Sequence, residues 1–312
     1  MSLRSNYHAT KTLFCGLAVS SSITALEFPR VHAWFVRSAE ALTTHPFSHL
    51  RYLMCGSDEE AMISLIPHLD ALEILDLTTW GHPSQLLLHI ARLTNLQELI
   101  IRLVCLPGHD GAVFIAEQML EIGRRCNKLI RLHLEDPVND DDPVAHSDID
   151  DEQMDQLLST MPQLQHLCLK FGTGELTVDV WTVIGRRCRD LRSVSIAGQS
   201  PLAMALSEVE EECLFPRLQI LEVDYIENLY YYALRDHSPP PAGFIKIIHQ
   251  HAPRLKALSC PYIQSYPHQC TEIWPGQCPI VSSVRLVDRN ANLNTFLPQA
   301  DLEHSVYANV VI

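Results

Sequence analysis

Ile122–Leu134 reads IGRRCNKLIRLHL, and Ile184–Ile196 reads IGRRCRDLRSVSI. Five consecutive residues are identical, and the apolar positions beyond them keep step, so the two stretches are copies of one structural phrase. In each, a leucine follows the cysteine, an apolar residue comes three positions later, and another comes two beyond that. Searching outward with this L-x-x-L-x-L spacing finds ten units. They are Ile23-Leu26-Phe28, Leu50-Leu53-Cys55, Leu72-Leu75-Leu77, Leu96-Leu99-Ile101, Leu129-Leu132-Leu134, Leu164-Leu167-Leu169, Leu191-Val194-Ile196, Leu218-Leu221-Val223, Leu255-Leu258-Cys260 and Val281-Val284-Leu286. The first residue of each is its anchor. Anchors lie 22 to 37 residues apart, the range in which a recurring feature signals a solenoid of stacked units.

The last two apolar positions of each unit alternate with polar ones, which is strand periodicity. Between strands lie segments with helical spacing: Trp34–Leu42, Glu59–Leu69, Gln85–Leu93, Val113–Cys126, Glu152–Met161, Val178–Cys188 and Phe244–His251. In the fourth, Ile115, Met119, Ile122 and Cys126 share a helical face. A strand that returns through a helix to the next strand runs parallel to it. The expected fold is therefore an α/β solenoid of about ten strand–helix units, with one parallel sheet on its concave face and a core shared between neighbours. Pro67, Pro162, Pro216, Pro253 and Pro279 each lie two to five residues before an anchor. They mark the helix-to-strand corner, because proline pushes its preceding residue out of helical conformation. Residues 23–287 are read as the solenoid, 1–22 as an N-terminal cap or partial repeat, and 288–312 as a C-terminal cap or tail. Leu293, Phe296, Leu297 and Leu302 are available there for a capping helix.

The 312-residue chain is 47% apolar, ample for a core, and carries a formal charge of −14. That sign opposes general attraction to nucleic acid or to an anionic membrane. No apolar run approaches the roughly 18 residues of a membrane span. Ten cysteines in a chain this long are far from a disulfide scaffold. Most sit at apolar positions, where a reduced thiol packs as a small hydrophobe, so a cytosolic or nuclear setting is expected. Leu13–Val19 (LFCGLAV) is the one stretch with the look of a signal-peptide core; Gly16 interrupts it, and it fits a packed first unit as well.

Motifs for chemistry are sparse. Gly172-Thr173-Gly174 lacks the rest of a dinucleotide fingerprint and reads as a turn. No G-x-S-x-G or H-E-x-x-H is present. Cys260, His268, Cys270 and Cys278 offer four zinc-type donors, but at loose spacing and with Cys260 on a strand position. The insertion Asp136–Glu152 holds eight carboxylates; it lacks the central glycine of a calcium loop and reads as a solvated charge run. A second insertion, Asp224–Pro241, contains Tyr230-Tyr231-Tyr232 and Pro239-Pro240-Pro241. The pairs Arg124-Arg125 and Arg186-Arg187 fall at helix ends, where cations complement the helix dipole. No metal, cofactor or catalytic residue is assigned.

The repeated L-x-x-L-x-L with one strand and one helix per unit resembles leucine-rich repeats. Arg-Arg-Cys ahead of the strand is similar to the cysteine-containing and ribonuclease-inhibitor-like types. FPRLQILEV at Phe215–Val223 and MPQLQHLCL at Met161–Leu169 resemble the repeat half of fungal F-box proteins. The resemblance covers roughly residues 20 to 290. It implies a parallel-sheet solenoid and, as the family role, substrate recognition for a cullin-type ubiquitin ligase. The asparagine usual after the strand is missing, as at Thr78-Thr79 and Glu135-Asp136, so irregular, helix-rich units are expected. With repeats from Ile23, no F-box is expected ahead of them.

In such a solenoid, the strand residues that alternate with the core face outward on the concave side, the default binding surface. These are Tyr52, Met54, Ile74, Asp76, Thr78, Glu98, Ile100, Arg102, Arg131, His133, Glu135, His166, Cys168, Lys170, Ser193, Ser195, Ile220, Glu222 and Asp224. Arg102, Arg131, His133, His166 and Lys170 suggest a basic centre, and Ile74, Ile100 and Ile220 an apolar one. Together they point to a protein or peptide partner with acidic and apolar groups. The sequence thus reads as a non-catalytic, monomeric interaction scaffold without nucleic-acid or membrane binding. A secreted recognition protein and an enzyme without a recognisable motif are the alternatives.

Overall fold

The computed structural model describes residues 3–20, 22–80, 85–104, 113–135, 146–173, 176–177, 179–197, 202–209, 212–223, 225–226, 247–259, 262–263 and 283–285. The chain forms two compact units, one up to His146 and one from Ser147. Both have the leucine-rich-repeat type of architecture, with alternating strands and helices on open parallel sheets.

The first unit opens with α1 (Leu3–Ala18) and continues β1 (Ala25–Val31), α2 (Ala33–Glu40), β2 (Tyr52–Asp58), α3 (Glu59–Leu65), β3 (Ile74–Trp80), α4 (Leu86–Ile90), β4 (Glu98–Val104), α5 (Ala116–Arg125) and β5 (Arg131–Glu135). Its strands pair in sequence order, all parallel, with the second motif residues aligned across them: Leu26, Leu53, Leu75, Leu99 and Leu132. The second unit repeats the plan with α6 (Asp151–Ser159), β6 (His166–Lys170), α7 (Asp179–Arg187), β7 (Ser193–Ile196), α8 (Leu202–Glu208), β8 (Ile220–Val223), β9 (Ala257–Ser259) and β10 (Ser283–Arg285). Leu167, Val194, Leu221, Leu258 and Val284 align in the same way. From Ile23 to Leu258, every described motif residue is at most 5% exposed. The L-x-x-L-x-L positions are therefore the core.

The corner between helix and strand is made the same way in eight units. The N–H of each anchor from Leu50 to Leu255 donates to the carbonyl three residues earlier, at 2.9–3.3 Å. The following residue then reaches sideways to the preceding repeat: Glu73 N–H to Arg51 O (2.8 Å), Gln97 to Glu73 O (2.7 Å), Gln219 to Arg192 O (2.8 Å) and Lys256 to Gln219 O (2.8 Å). The IGRRC phrase is this corner. Cys126 and Cys188 donate their N–H groups back to Ile122 and Ile184, and their carbonyls accept from Leu129 and Leu191. Both side chains are buried, and the Cys126 thiol lies 3.6 Å from the Leu93 carbonyl. Gly185 allows close packing: a Cβ there would lie 2.7 Å from Leu214 Cβ. The arginines end their helices in ion pairs, Arg124 and Arg125 with Glu121, Arg186 with Glu212 and Arg187 with Asp155.

Helix boundaries differ from the spacing in informative places. Val113–Phe114 is a short strand and Ile115 an extended N-cap, so α5 starts only at Ala116; Phe114 is fully buried, which secures this extended entry. Helix α8 was not legible, because its buried positions Leu202, Ala205 and Leu206 rely partly on alanine. The described end of the acidic insertion is structural. Asp150 and Gln153 form a reciprocal capping box at α6, and Asp151 accepts from Thr177 N–H at 3.1 Å. Residues 136–145, the tyrosine–proline insertion from 227 on, the four zinc-type donors and the tail after 288 lie outside the described residues.

Helix α1 packs beside α2 and inserts the fully buried Phe14 between the first two repeats. Its ring lies 5.3 Å from Phe28, 5.5 Å from Phe35 and 5.1 Å from Phe47. Phe47 has a backbone φ of 59°, a left-handed conformation costly for a bulky residue. Its ring contact and its N–H bond to Ala18 O (3.1 Å) hold it there. Phe14→Ala is expected to destabilise this end by about 3–5 kcal/mol, read as a lower urea midpoint; an unchanged midpoint contradicts the packing assigned to α1.

Candidate functional site: the open face of the sheet

Strand periodicity sends alternate side chains to opposite faces. One face of each sheet carries the buried motif residues; the other carries the candidate positions, and most are half-buried. In the first unit, Tyr52, Ile74, Asp76, Thr78, Glu98, Ile100, Arg102, Arg131, His133 and Glu135 all fall in that class, while Met54 is 39% exposed. In the second unit, His166, Cys168, Lys170, Ser193 and Glu222 are half-buried and Ile220 is 48% exposed. Ser195, expected outside, is 6% exposed. The reason is a charge pair overhead: Lys170 Nζ on β6 donates to Glu222 Oε1 on β8 at 3.0 Å, across the intervening β7. A small residue suits the strand beneath such a bridge. Asp224 lies outside the described residues.

The cations do not stand as a bare basic centre. Arg102 donates to Asp76 on β3 and lies 3.8 Å from Glu135 on β5. Arg131 lies 3.4 Å from Glu98, and His133 Nε2 lies 2.9 Å from Glu135. Parallel pairing in register puts Asp76 opposite Ile100, and Glu98 opposite Arg131, so cross-strand neighbours compensate one another. Each of these arginines already has a carboxylate beside it. The Tyr52 hydroxyl is held above the ordinary phenol range, chiefly by burial and then by the charges of Glu27, Asp76 and Glu98.

At the C-terminal ends of β1–β3, the same face folds into an open cleft of about 330 Å³ lined by Glu27, Phe28, Met54, Gly56, Thr78 and Trp80, among others. Four of these, Glu27, Phe28, Gly56 and Trp80, were not foreseen as site residues. Trp80 lies on Gly56: a Cβ there would come within 2.7 Å of the indole and 2.5 Å of Pro29 O. The Arg30 guanidinium sits 4.9 Å from the Trp80 ring centroid. Only the lone glycine inside a strand hinted at this close approach.

Three thiols on the core side are chemically quiet. Burial pushes Cys55 and Cys188 up to about 12 and Cys126 up to about 11. They remain protonated at neutral pH and are poor nucleophiles. Among the described residues, no group of three or more His, Cys, Asp or Glu is gathered to hold a metal ion, and no helix is long and apolar enough to cross a membrane.

No family model matches the chain. No curated protein matches it. Among solved structures it is similar to a chain of the crystal structure of the Rad7 and Elc1 complex in yeast, at 10% identity and a TM-score of 0.36, covering 90% of this chain and 93% of that one.

The raised thiol values have a pH signature. The preference of the fold for the neutral thiol is fully present below the ordinary thiol value and is lost as pH rises toward 11–12. Brief iodoacetamide treatment of the native protein at mildly alkaline pH is expected to leave Cys55, Cys126 and Cys188 unmodified in peptide mapping, and to modify all three in denaturant. Ready native labelling of these three contradicts their assignment to the core.

Proposed function

We propose that the chain is a non-catalytic protein-interaction scaffold in which each unit docks partners on the open face of its own sheet. The observation that carries this reading is the division of labour along each strand. One face is consumed by the core, while the other presents ordered, half-buried side chains with apolar Met54 and Ile220 left in solvent. Apolar residues set among paired charges give a partner both buried area and a fixed charge pattern. The finer reading is recognition of a protein substrate for a cullin-type ubiquitin ligase. Its support is the resemblance of Phe215–Val223 and Met161–Leu169 to the repeats of fungal F-box proteins.

Affinity purification of tagged protein with quantitative mass spectrometry tests both levels. Met54→Glu and Ile220→Glu, combined with alanine at Arg102, Arg131 and Lys170, are expected to lower capture of the enriched partners at least about ten-fold, a loss of roughly 1.4 kcal/mol, with circular dichroism unchanged. Undiminished capture by the folded variant contradicts docking on this face. Cullin adaptors among the partners support the finer reading; their absence from an otherwise specific set counts against it.

A further inference from the structure

Glu27, on the first unit's open face, lacks the ion pairs of its neighbours across the sheet. Asp76 is paired with Arg102, Glu98 with Arg131, and Glu135 with His133 and Arg102. Glu27, by contrast, has no cation within ion-pair distance among the described residues; it accepts only a long hydrogen bond, 3.4 Å, from the Tyr52 hydroxyl. It is also the one carboxylate lining the cleft at the ends of β1–β3. The side chains facing it across the cleft are the exposed Met54, Thr78 and Trp80 laid over Gly56.

A site with an apolar wall, an indole face and one uncompensated carboxylate has a definite complement. A neutral apolar side chain would cover Glu27 and leave it desolvated without a partner, which is costly. An acidic side chain would meet repulsion. A long cationic side chain lays its methylenes along Met54 and Trp80 while its head reaches the carboxylate, as lysine and arginine do at interfaces. The Trp80 indole already carries the chain's own Arg30 guanidinium 4.9 Å from its ring centroid, so the incoming head group is held by Glu27 and the indole contributes apolar area. The volume of about 330 Å³ admits one such side chain rather than a folded element.

We propose that this cleft receives an arginine or lysine side chain of a partner protein, a specificity pocket within the docking face. The assignment rests on the reading of that face as a docking surface and names the chemistry it selects. It runs opposite to the acidic partner expected from the strand sequences alone, and it agrees with the chain's formal charge of −14.

The test uses short acetylated, amidated glycine peptides carrying a single central arginine, lysine, norleucine or glutamate, titrated into the isotope-labelled full chain. The readout is the indole N–H resonance of Trp80, assigned with Trp80→Phe. The arginine and lysine peptides are expected to shift it saturably in the millimolar range, with norleucine and glutamate at least about five-fold weaker. Glu27→Gln, a half-exposed strand position, is expected to abolish this preference while leaving the remaining spectrum in place. Equal shifts from norleucine and arginine, no shift from either cation, or an undiminished response in Glu27→Gln would each overturn the proposal. Because the peptides report on the cleft without any cellular partner, a negative titration beside a positive capture experiment removes the pocket and keeps the docking face. The reverse result keeps the pocket and removes the wider face.

Discussion

The bond from each anchor N–H to the carbonyl three residues earlier is short and local, and it sets the phase of everything downstream. It closes the helix at one fixed step before the strand. The next residue's N–H is then presented to the carbonyl of the preceding repeat, as Glu73 is to Arg51 and Lys256 to Gln219. Since the ladder starts at the same level in each repeat, the pairing stays one-for-one, and leucine meets leucine across the sheet. A slip by one residue would turn every motif side chain to the opposite face. The corner therefore protects the core more effectively than any single leucine does. It also explains why IGRRC recurs: isoleucine, cysteine and leucine supply the backbone groups and buried side chains of the corner, and the arginines only finish the helix.

Charge on the open face follows from this register. Aligned strands place side chains of adjacent repeats within reach, so opposite signs on neighbouring strands neutralise one another whether or not a partner is present. Such half-exposed pairs contribute little to stability. They do remove the electrostatic pull that a list of arginines suggests. Among the described residues of the first unit, Glu27 is a carboxylate outside this pairing.

Sequence periodicity revealed the anchors, the two faces and most helices, because these depend on residues close together in the chain. It could not reveal which side chains meet. Lys170 finds Glu222 by stepping over a whole strand, and this covers Ser195 although its parity in the strand points outward. The cleft was hidden for a similar reason. It needs Pro29, Gly56 and Trp80 from three successive repeats, and none of them belongs to the repeating motif. Phe114 shows the converse: helical spacing continued through Ile115, but a buried aromatic ring held the entry to α5 extended.

Strand β1 ends its sheet on one side, and its pairing with β2 shifts register between Phe28 and Val31, where the exposed Pro29 sits. Proline offers no N–H to an incoming strand, and an irregular, twisted border is a poor template for one. Stacked repeats present neighbours of like construction, so an open border invites end-to-end growth of one molecule on another. The same residue that helps line the cleft thus also makes this border of the sheet irregular.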